Sequence, residues 1–142
     1  MISQRAKYAL RALLALGEVP AGESLMISEI SRRQAIPKKF LEQILLELKR
    51  ASIVESRRGR LGGYVLARSP EKITFGEVLR LIDGPVALLP CLSRIAYRRC
   101  ADCADESSCE IRRVFARVAD ATREVLDSTT LADAARLPLE LV

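Results

Sequence analysis

Histidine is absent from the chain, and with it goes the side chain that most often performs general acid–base chemistry near neutral pH. No Ser-His-Asp or Cys-His constellation can therefore be assembled, and no phosphate-binding loop is present, so an enzyme is not expected. Cysteine is missing from everywhere except one short stretch: Cys91, Cys100, Cys103 and Cys109 fall within nineteen residues, spaced x8, x2 and x5. Long apolar runs are missing too. The one apolar stretch near the N-terminus, Ala9 to Gly17, is interrupted by Arg11, and nothing approaches the ~18 to 20 apolar residues of a membrane span. Gly17 and Glu18 make a poor signal-peptide cleavage site. These absences point to a cytoplasmic protein in a reducing compartment, where paired disulfides are not the default use of four cysteines. There is also no internal repeat and no low-complexity linker.

What is present suits a globular protein. With 142 residues, 49% of them apolar, the chain can form one compact domain, or a small domain with an oligomerising arm. Its net charge of +5 conceals an asymmetry: residues 1–68 hold 13 Lys and Arg against six Asp and Glu, and the remainder ten against twelve. A basic N-terminal half attracts phosphate backbones through counterion release. A solvated basic face without a partner explains the charge alone equally well.

Local patterns give the basic half a shape. Ser3 to Leu16 carries Tyr8, Leu10, Leu13, Leu14 and Leu16 at helical spacing, and Gly17 with Pro20 ends this first helix. A short second helix, capped by Ser28 and supplied with Ile27, Ile30 and Ile36, turns before Pro37. Pro37, at a first-turn position, opens the most regular helix of the chain, which runs to Ala51 with Leu41, Ile44, Leu45 and Leu48 on one stripe. Its other face shows Lys38, Lys39, Glu42, Gln43 and Arg50. Short helix, turn and amphipathic helix match a helix-turn-helix, whose second helix enters the major groove; two ordinary packed helices would read alike.

The next segment separates these alternatives. Ile53 to Glu55 and Tyr64 to Leu66 read as strands around the Gly-rich basic tip Arg57 to Gly63. A hairpin directly after a recognition helix is a wing, and arginines on a narrow tip suit the minor groove. Gly59, Gly62 and Gly63 either admit close approach to a phosphate backbone or merely make the turn. The expected DNA contacts are Lys38, Lys39, Glu42, Gln43, Arg57, Arg58, Arg60, Gly62, Gly63 and Tyr64.

Beyond Ser69-Pro70, Thr74 caps a helix Phe75 to Ile82, with Glu77 placed to complete a capping box, and Asp83-Gly84-Pro85 stops it. Glu110 to Leu126 carries Ile111, Val114, Phe115, Val118, Val125 and Leu126 on a helical stripe. A long amphipathic helix without an evident intramolecular partner suggests pairing with a second copy. Leu131 to Leu139 adds a last short helix. The expected fold is mainly α with a small β-hairpin wing: a winged helix-turn-helix over 1–83, a cysteine-bearing sensor loop over 84–109, and a long C-terminal dimerisation helix with a tail over 110–142.

Four thiolates in one loop can hold a 2Fe-2S or 4Fe-4S cluster, or a tetrahedral zinc ion. Zinc ribbons usually show two CxxC knuckles, and only Cys100-Ala-Asp-Cys103 has that form, so the unequal spacing fits cluster ligation better. No βαβ pattern surrounds that pair, which weakens a thioredoxin-like reading. Arg94, Arg98, Arg99, Arg112 and Arg113 either offset thiolate charge or face solvent.

The segments KYALRALLAL, ISEISRRQAIPKKFLEQILLELKRASIVESRRGRLGGYVLARSPEKITFGEVL, DGP and TLAD resemble, in that order, the IscR/NsrR/RirA family of bacterial winged-helix regulators, also called the Rrf-two family. The resemblance implies homodimers whose long C-terminal helices cross, binding double-stranded DNA at pseudo-palindromic operators, mostly as repressors. It implies an iron–sulfur cluster in the loop before that helix, 2Fe-2S ahead of 4Fe-4S, that senses iron, redox or nitric-oxide status. The family's groove-reading Glu-Gln pair falls on Glu42 and Gln43, and its wing arginine within Arg57, Arg58 and Arg60. Cys91, Cys103 and Cys109 match the family's three cysteines, whereas Cys100 is extra. The family's histidine position is Arg112, and its first-helix acidic position looks like Lys7 or a neighbour. Cys100 then becomes the natural fourth ligand. A cluster-free thiol switch, a structural zinc site and a constitutive repressor are the alternatives.

Overall fold

The computed structural model describes residues 1–60 and 62–138. Helix α1 spans Gln4–Gly17 and is capped by Ser3, whose side chain accepts the Ala6 amide. Its alanines let neighbours approach closely, and Ala6, Ala9, Ala12 and Leu13 are fully buried. Helix α2 covers Ile27–Gln34 with Met26, not Ser28, at its N-cap. The reason lies upstream: Leu25 exchanges two backbone hydrogen bonds with Tyr64, at 3.0 and 2.9 Å, so the chain enters the helix from an extended bridge. Ala35, at φ 51, closes α2 in the left-handed region, and Ser31 donates its hydroxyl to the Ile36 carbonyl at 2.6 Å.

Helix α3 occupies Lys38–Arg50, with Pro37 at the N-cap just outside the first turn. All four residues of its expected stripe, Leu41, Ile44, Leu45 and Leu48, are fully buried. Strands β1, Val54–Arg57, and β2, Gly63–Leu66, pair antiparallel with Val54 opposite Leu66 and Arg57 opposite Gly63. The hairpin follows α3 as a wing should.

Helix α4 covers Phe75–Asp83, and Thr74 accepts the Glu77 amide at 3.2 Å. The other half of the expected capping box is not made: the Glu77 carboxylate turns to Arg68 at 2.6 Å. Gly84, at φ 82, ends the helix. The loop from 84 to 109 contains one short 3-10 turn, Pro90–Leu92. It leads into α5, Glu110–Ser128, two residues longer than its apolar stripe suggests.

Helix α6, Leu131–Arg136, returns to the N-terminal half. Thr130 and Asp133 form a reciprocal capping box there. Leu131 is 2% exposed and belongs to the same core as α1, α3 and Ile73. Two backbone hydrogen bonds fasten the junction: Phe75 N–H to the Thr129 carbonyl and Leu131 N–H to the Ile73 carbonyl, both 3.0 Å. Leu139, the far end of the expected last helix, lies outside the described residues. The chain is thus mainly helical with a two-stranded wing, and α5 crosses α4 over Gly76, where a Cβ would overlap the Asp127 carboxylate.

On α5 only Ala119 is buried. Ile111, Val114, Val118 and Val125 are 63%, 60%, 40% and 61% exposed, so the predicted stripe divides. Phe115 and Leu126 turn toward the molecule, while these four form a second face that the described residues leave uncovered.

Candidate nucleic-acid interface and thiol loop

Burial of one α3 face presents the opposite one. Lys38, Lys39, Glu42 and Gln43 are all exposed, and among the described residues none of their side chains makes a hydrogen bond or ion pair. Lys39, Gln43, Leu46 and Arg50 recur at three- and four-residue spacing and form one outward row; Leu46 is 46% exposed. The flanks are braced. Glu47 pairs with Arg5 of α1, and Lys49 donates to the Ser56 hydroxyl of the wing at 2.7 Å. The helix therefore offers a free polar face on a fixed support.

The three wing arginines have different surroundings. Arg57 donates to the Gly22 carbonyl at 3.0 Å and ties the hairpin to the α1–α2 loop. Arg58 and Arg60 are exposed at the tip, without a side-chain partner among the described residues. Gly59 has φ 103, and the Gly62 amide donates to its carbonyl at 2.9 Å. At Gly63, φ 150, a Cβ would stand 2.5 Å from the Leu25 carbonyl oxygen. The close approach that Gly62 and Gly63 permit is to the chain's own backbone. Tyr64 is half-buried against the core. The bridge from Leu25 had no signal in the sequence, because a single pairing leaves no alternating pattern.

The second constellation lies on the loop. Cys91 is buried in the 3-10 turn, Cys100 is exposed, Cys103 and Cys109 are intermediate, and all four are free thiols. Cys109 is the N-cap of α5, its Sγ accepting the Arg112 amide at 3.4 Å. The Cys103 amide closes a turn onto the Cys100 carbonyl at 3.2 Å. The Cys100 thiol is held above its ordinary range, by partial desolvation first and then by Cys91, Asp102, Cys103 and Cys109. The other three sulfurs thus lie within electrostatic reach of Cys100.

Arginines hold this loop mainly through its backbone. Arg99 donates to the Cys103 and Ala104 carbonyls at 3.0 and 2.9 Å. Arg113 donates to the Ser107 carbonyl at 3.1 Å, and Arg112 reaches the Cys91 carbonyl at 3.5 Å. The Arg112 Nε is buried without a hydrogen-bond partner, 3.9 Å from Glu106, whose carboxylate accepts the Tyr97 hydroxyl. Arg94 and Arg98 are exposed. The donor set has the right chemistry for a cluster or a tetrahedral metal. No three His, Cys, Asp or Glu side chains among the described residues converge to ligand distance, so ligation requires the loop to draw together.

A free polar helix face braced beside a basic wing defines a winged helix-turn-helix DNA-binding protein. The model of the Rrf2 family, described as iron-dependent transcriptional regulator, matches residues 2–136, and the chain belongs to that family. It is 51% identical over 136 residues to an rrf2-like HTH-type regulator of Rhodobacter capsulatus, covering 94% of this chain and 91% of that one. It is 33% identical over 134 residues to the HTH-type regulator CymR of Bacillus subtilis, covering 94% and 88%. The solved structure of that protein, titled the global cysteine regulator of B. subtilis, superposes with a TM-score of 0.80 at 31% identity and 96% coverage of both chains. IscR of T. potens gives 0.74 at 28% identity, covering 96% of this chain and 86% of that one. The chain is accordingly a DNA-binding transcriptional regulator, and among the described residues no helix is long and apolar enough to cross a membrane.

Proposed function

We propose that the protein is a cytoplasmic homodimeric repressor whose cysteine loop holds an iron–sulfur cluster, 2Fe-2S in preference to 4Fe-4S, and so reports iron, redox or nitric-oxide status to DNA. The observation that carries this reading is the position of the four thiols. Every cysteine of the chain lies on the single loop between the winged domain and α5, and Cys109 is itself the cap of that helix. Cys91, Cys100, Cys103 and Cys109 would hold the group, which supplies sensitivity to oxidants and nitric oxide when bound. The chain's own residues do the rest: Arg112 links Cys91 to Cys109, Arg99 fixes the Cys103 turn, and α5 carries any shift of its cap toward α4.

Dimerisation is supported by the uncovered face of α5. Ile111, Val114, Val118, Ala121 and Val125 follow alternating three- and four-residue steps, the 3.5-residue repeat of a two-helix seam. Two copies joined there would present two α3 helices and two wings to half-sites spaced ~34 to 36 Å apart on a pseudo-palindrome. On each half-site Gln43 can pair with adenine, Glu42 can accept from cytosine N4, and Arg58 and Arg60 can enter the minor groove.

A second reading has its own support. The thiols do not converge to ligand distance, and the CymR relative is titled a cysteine regulator, which favours a metal-free thiol switch. One experiment separates them. Protein purified without oxygen and supplied with iron is expected to be brown, to contain iron and sulfide, and to change its operator affinity when the colour is lost. A colourless, iron-free protein with unchanged affinity after iron repletion overturns the cluster. If that same protein responds reversibly to peroxide and thiol, the switch reading stands.

A further inference from the structure

One cavity belongs neither to the DNA face nor to the thiols. It has a volume of about 190 Å³ and lies where the end of α4, the first part of the cysteine loop and α5 meet. Arg80, Arg94 and Arg123 line it with one carboxylate, Asp127; Asp127 pairs with Arg80 and Asp120 with Arg123, which leaves Arg94 as the net positive charge. That charge stands in a half of the chain, residues 69–142, that as a whole carries more acid than base.

The arginines are held so that donors remain unspent. Arg80 uses one Nη2–H on Asp127 at 2.7 Å. Arg123, with only 18% of its side chain exposed, is fixed at two points, to Asp120 at 2.8 Å and to the Leu92 carbonyl at 2.8 Å. Each guanidinium offers five N–H groups, so both keep further donors. Arg94 has no side-chain partner among the described residues. Beside them Ser93 is 9% exposed; its Oγ accepts the Ala96 amide at 2.9 Å, and its own hydroxyl proton has no acceptor among the described residues. A buried hydroxyl with an unspent donor next to three guanidinium groups calls for an oxygen acceptor of negative charge.

We propose that this cavity binds a small oxyanion, a phosphate or a short carboxylate, through Arg94, Ser93 and the spare donors of Arg80 and Arg123. Pro85, Val86 and Ile95 give it an apolar rim, which fits a short aliphatic body on a carboxylate and leaves an inorganic ion less well enclosed. The site lies on the flank of α5 that carries Arg123 and Asp127, away from the face of Val114, Val118 and Val125, so pairing through that face leaves it open. Its ligand would pin Ser93 and Arg94, two and three residues after Cys91, to both α4 and α5. Binding itself does not depend on a cluster; only the consequence for sensing rests on the function proposed above.

The test is titration of the full-length protein with inorganic phosphate and, separately, with succinate, in chloride buffer at constant ionic strength, read by calorimetry. One of the two is expected to bind saturably, and Arg94→Ala and Ser93→Ala are each expected to weaken it by about tenfold or more. Arg58→Ala, on the wing, is expected to leave that affinity unchanged. Arg94→Ala removes an exposed, unpartnered side chain, so loss of binding there does not come from misfolding. The proposal is overturned if neither anion binds, if Arg94→Ala binds as the parent does, or if Arg58→Ala removes the binding. Failure of these titrations leaves the colour and iron content of the anaerobic protein untouched, so the two proposals fail separately.

Discussion

At the scale of single residues, the two kinds of glycine and arginine in the wing have separable jobs. Gly63→Ala places a Cβ 2.5 Å from the Leu25 carbonyl at a φ of 150, and it is expected to cost about 1 to 3 kcal/mol in urea unfolding while weakening DNA binding. Arg58→Ala leaves the fold intact and is expected to weaken binding uniformly across sequences, lowering the salt slope by about one. Gln43→Ala is expected to cost ~1 to 3 kcal/mol at one base position, measured on a panel of single-base operator variants; equal loss on every sequence would remove Gln43 as a base reader. On the loop, Cys100→Ser tests the fourth ligand, and a full complement of iron in that variant would show that three thiols suffice. Glu29 is held at a pKa of about 2 by hydrogen bonds from Arg32 and then Arg33, against an ordinary 4.5. Its folded value lies below its unfolded one, so the stability it adds is present above pH 4.5 and fades as pH falls toward 2. Glu29→Gln should flatten that acid limb of the unfolding midpoint.

At the scale of elements, α5 invites the most direct experiment. Val118→Asp puts a charge into its uncovered apolar face without disturbing the inward residues, and it is expected to yield a folded monomer by sedimentation, with operator affinity lower by about 100-fold or more. A dimer that persists would place the seam elsewhere. The elements differ in how plainly the sequence announced them. The α3 stripe was legible because all four apolar residues answer to one buried face. The start of α2 was not, since Ser28 has the chemistry of a cap and only the distant Tyr64 determines that Met26 takes the position. Glu77 similarly has the spacing of a capping box, yet Arg68, nine residues back, offers its carboxylate a guanidinium partner at 2.6 Å. Local signals yielded wherever a residue remote in sequence provided the better partner. The exposed polar face of α3 was legible for the converse reason: among the described residues Lys38, Lys39, Glu42 and Gln43 have no remote partner, so their pattern and their exposure agree. Ser93 and Arg123 gave no sequence signal as cavity residues, because only folding brings their loop against α4 and α5.

At the scale of the whole molecule, the chain closes on itself. Leu131, 2% exposed in the core of the N-terminal half, makes the fold depend on residues beyond α5. Leu131→Ala is expected to cost about 2 to 5 kcal/mol by chemical unfolding, a loss that a winged domain independent of its C-terminal helix would not show. The charge asymmetry has a matching division: the basic half carries the exposed polar face of α3 and the wing, and the more acidic half carries the thiols and the exposed apolar face of α5.

The backbone clasp at Thr129 and Leu131 gives α5 a fixed end. Nineteen residues of helix make an arm of about 28 Å, with Cys109 at its far tip, tied to the loop through Arg112 and Arg113. Such an arm works as a reduction gear: a displacement of about 1 Å at the tip arrives at the clasp as a turn of about two degrees. Run in the other direction, a tilt of about five degrees imposed on the wing-bearing half sweeps the cysteine tip through about 2.5 Å. Seizing DNA would therefore strain the loop as surely as altering the loop would tilt the reader, and the thiols should feel the operator.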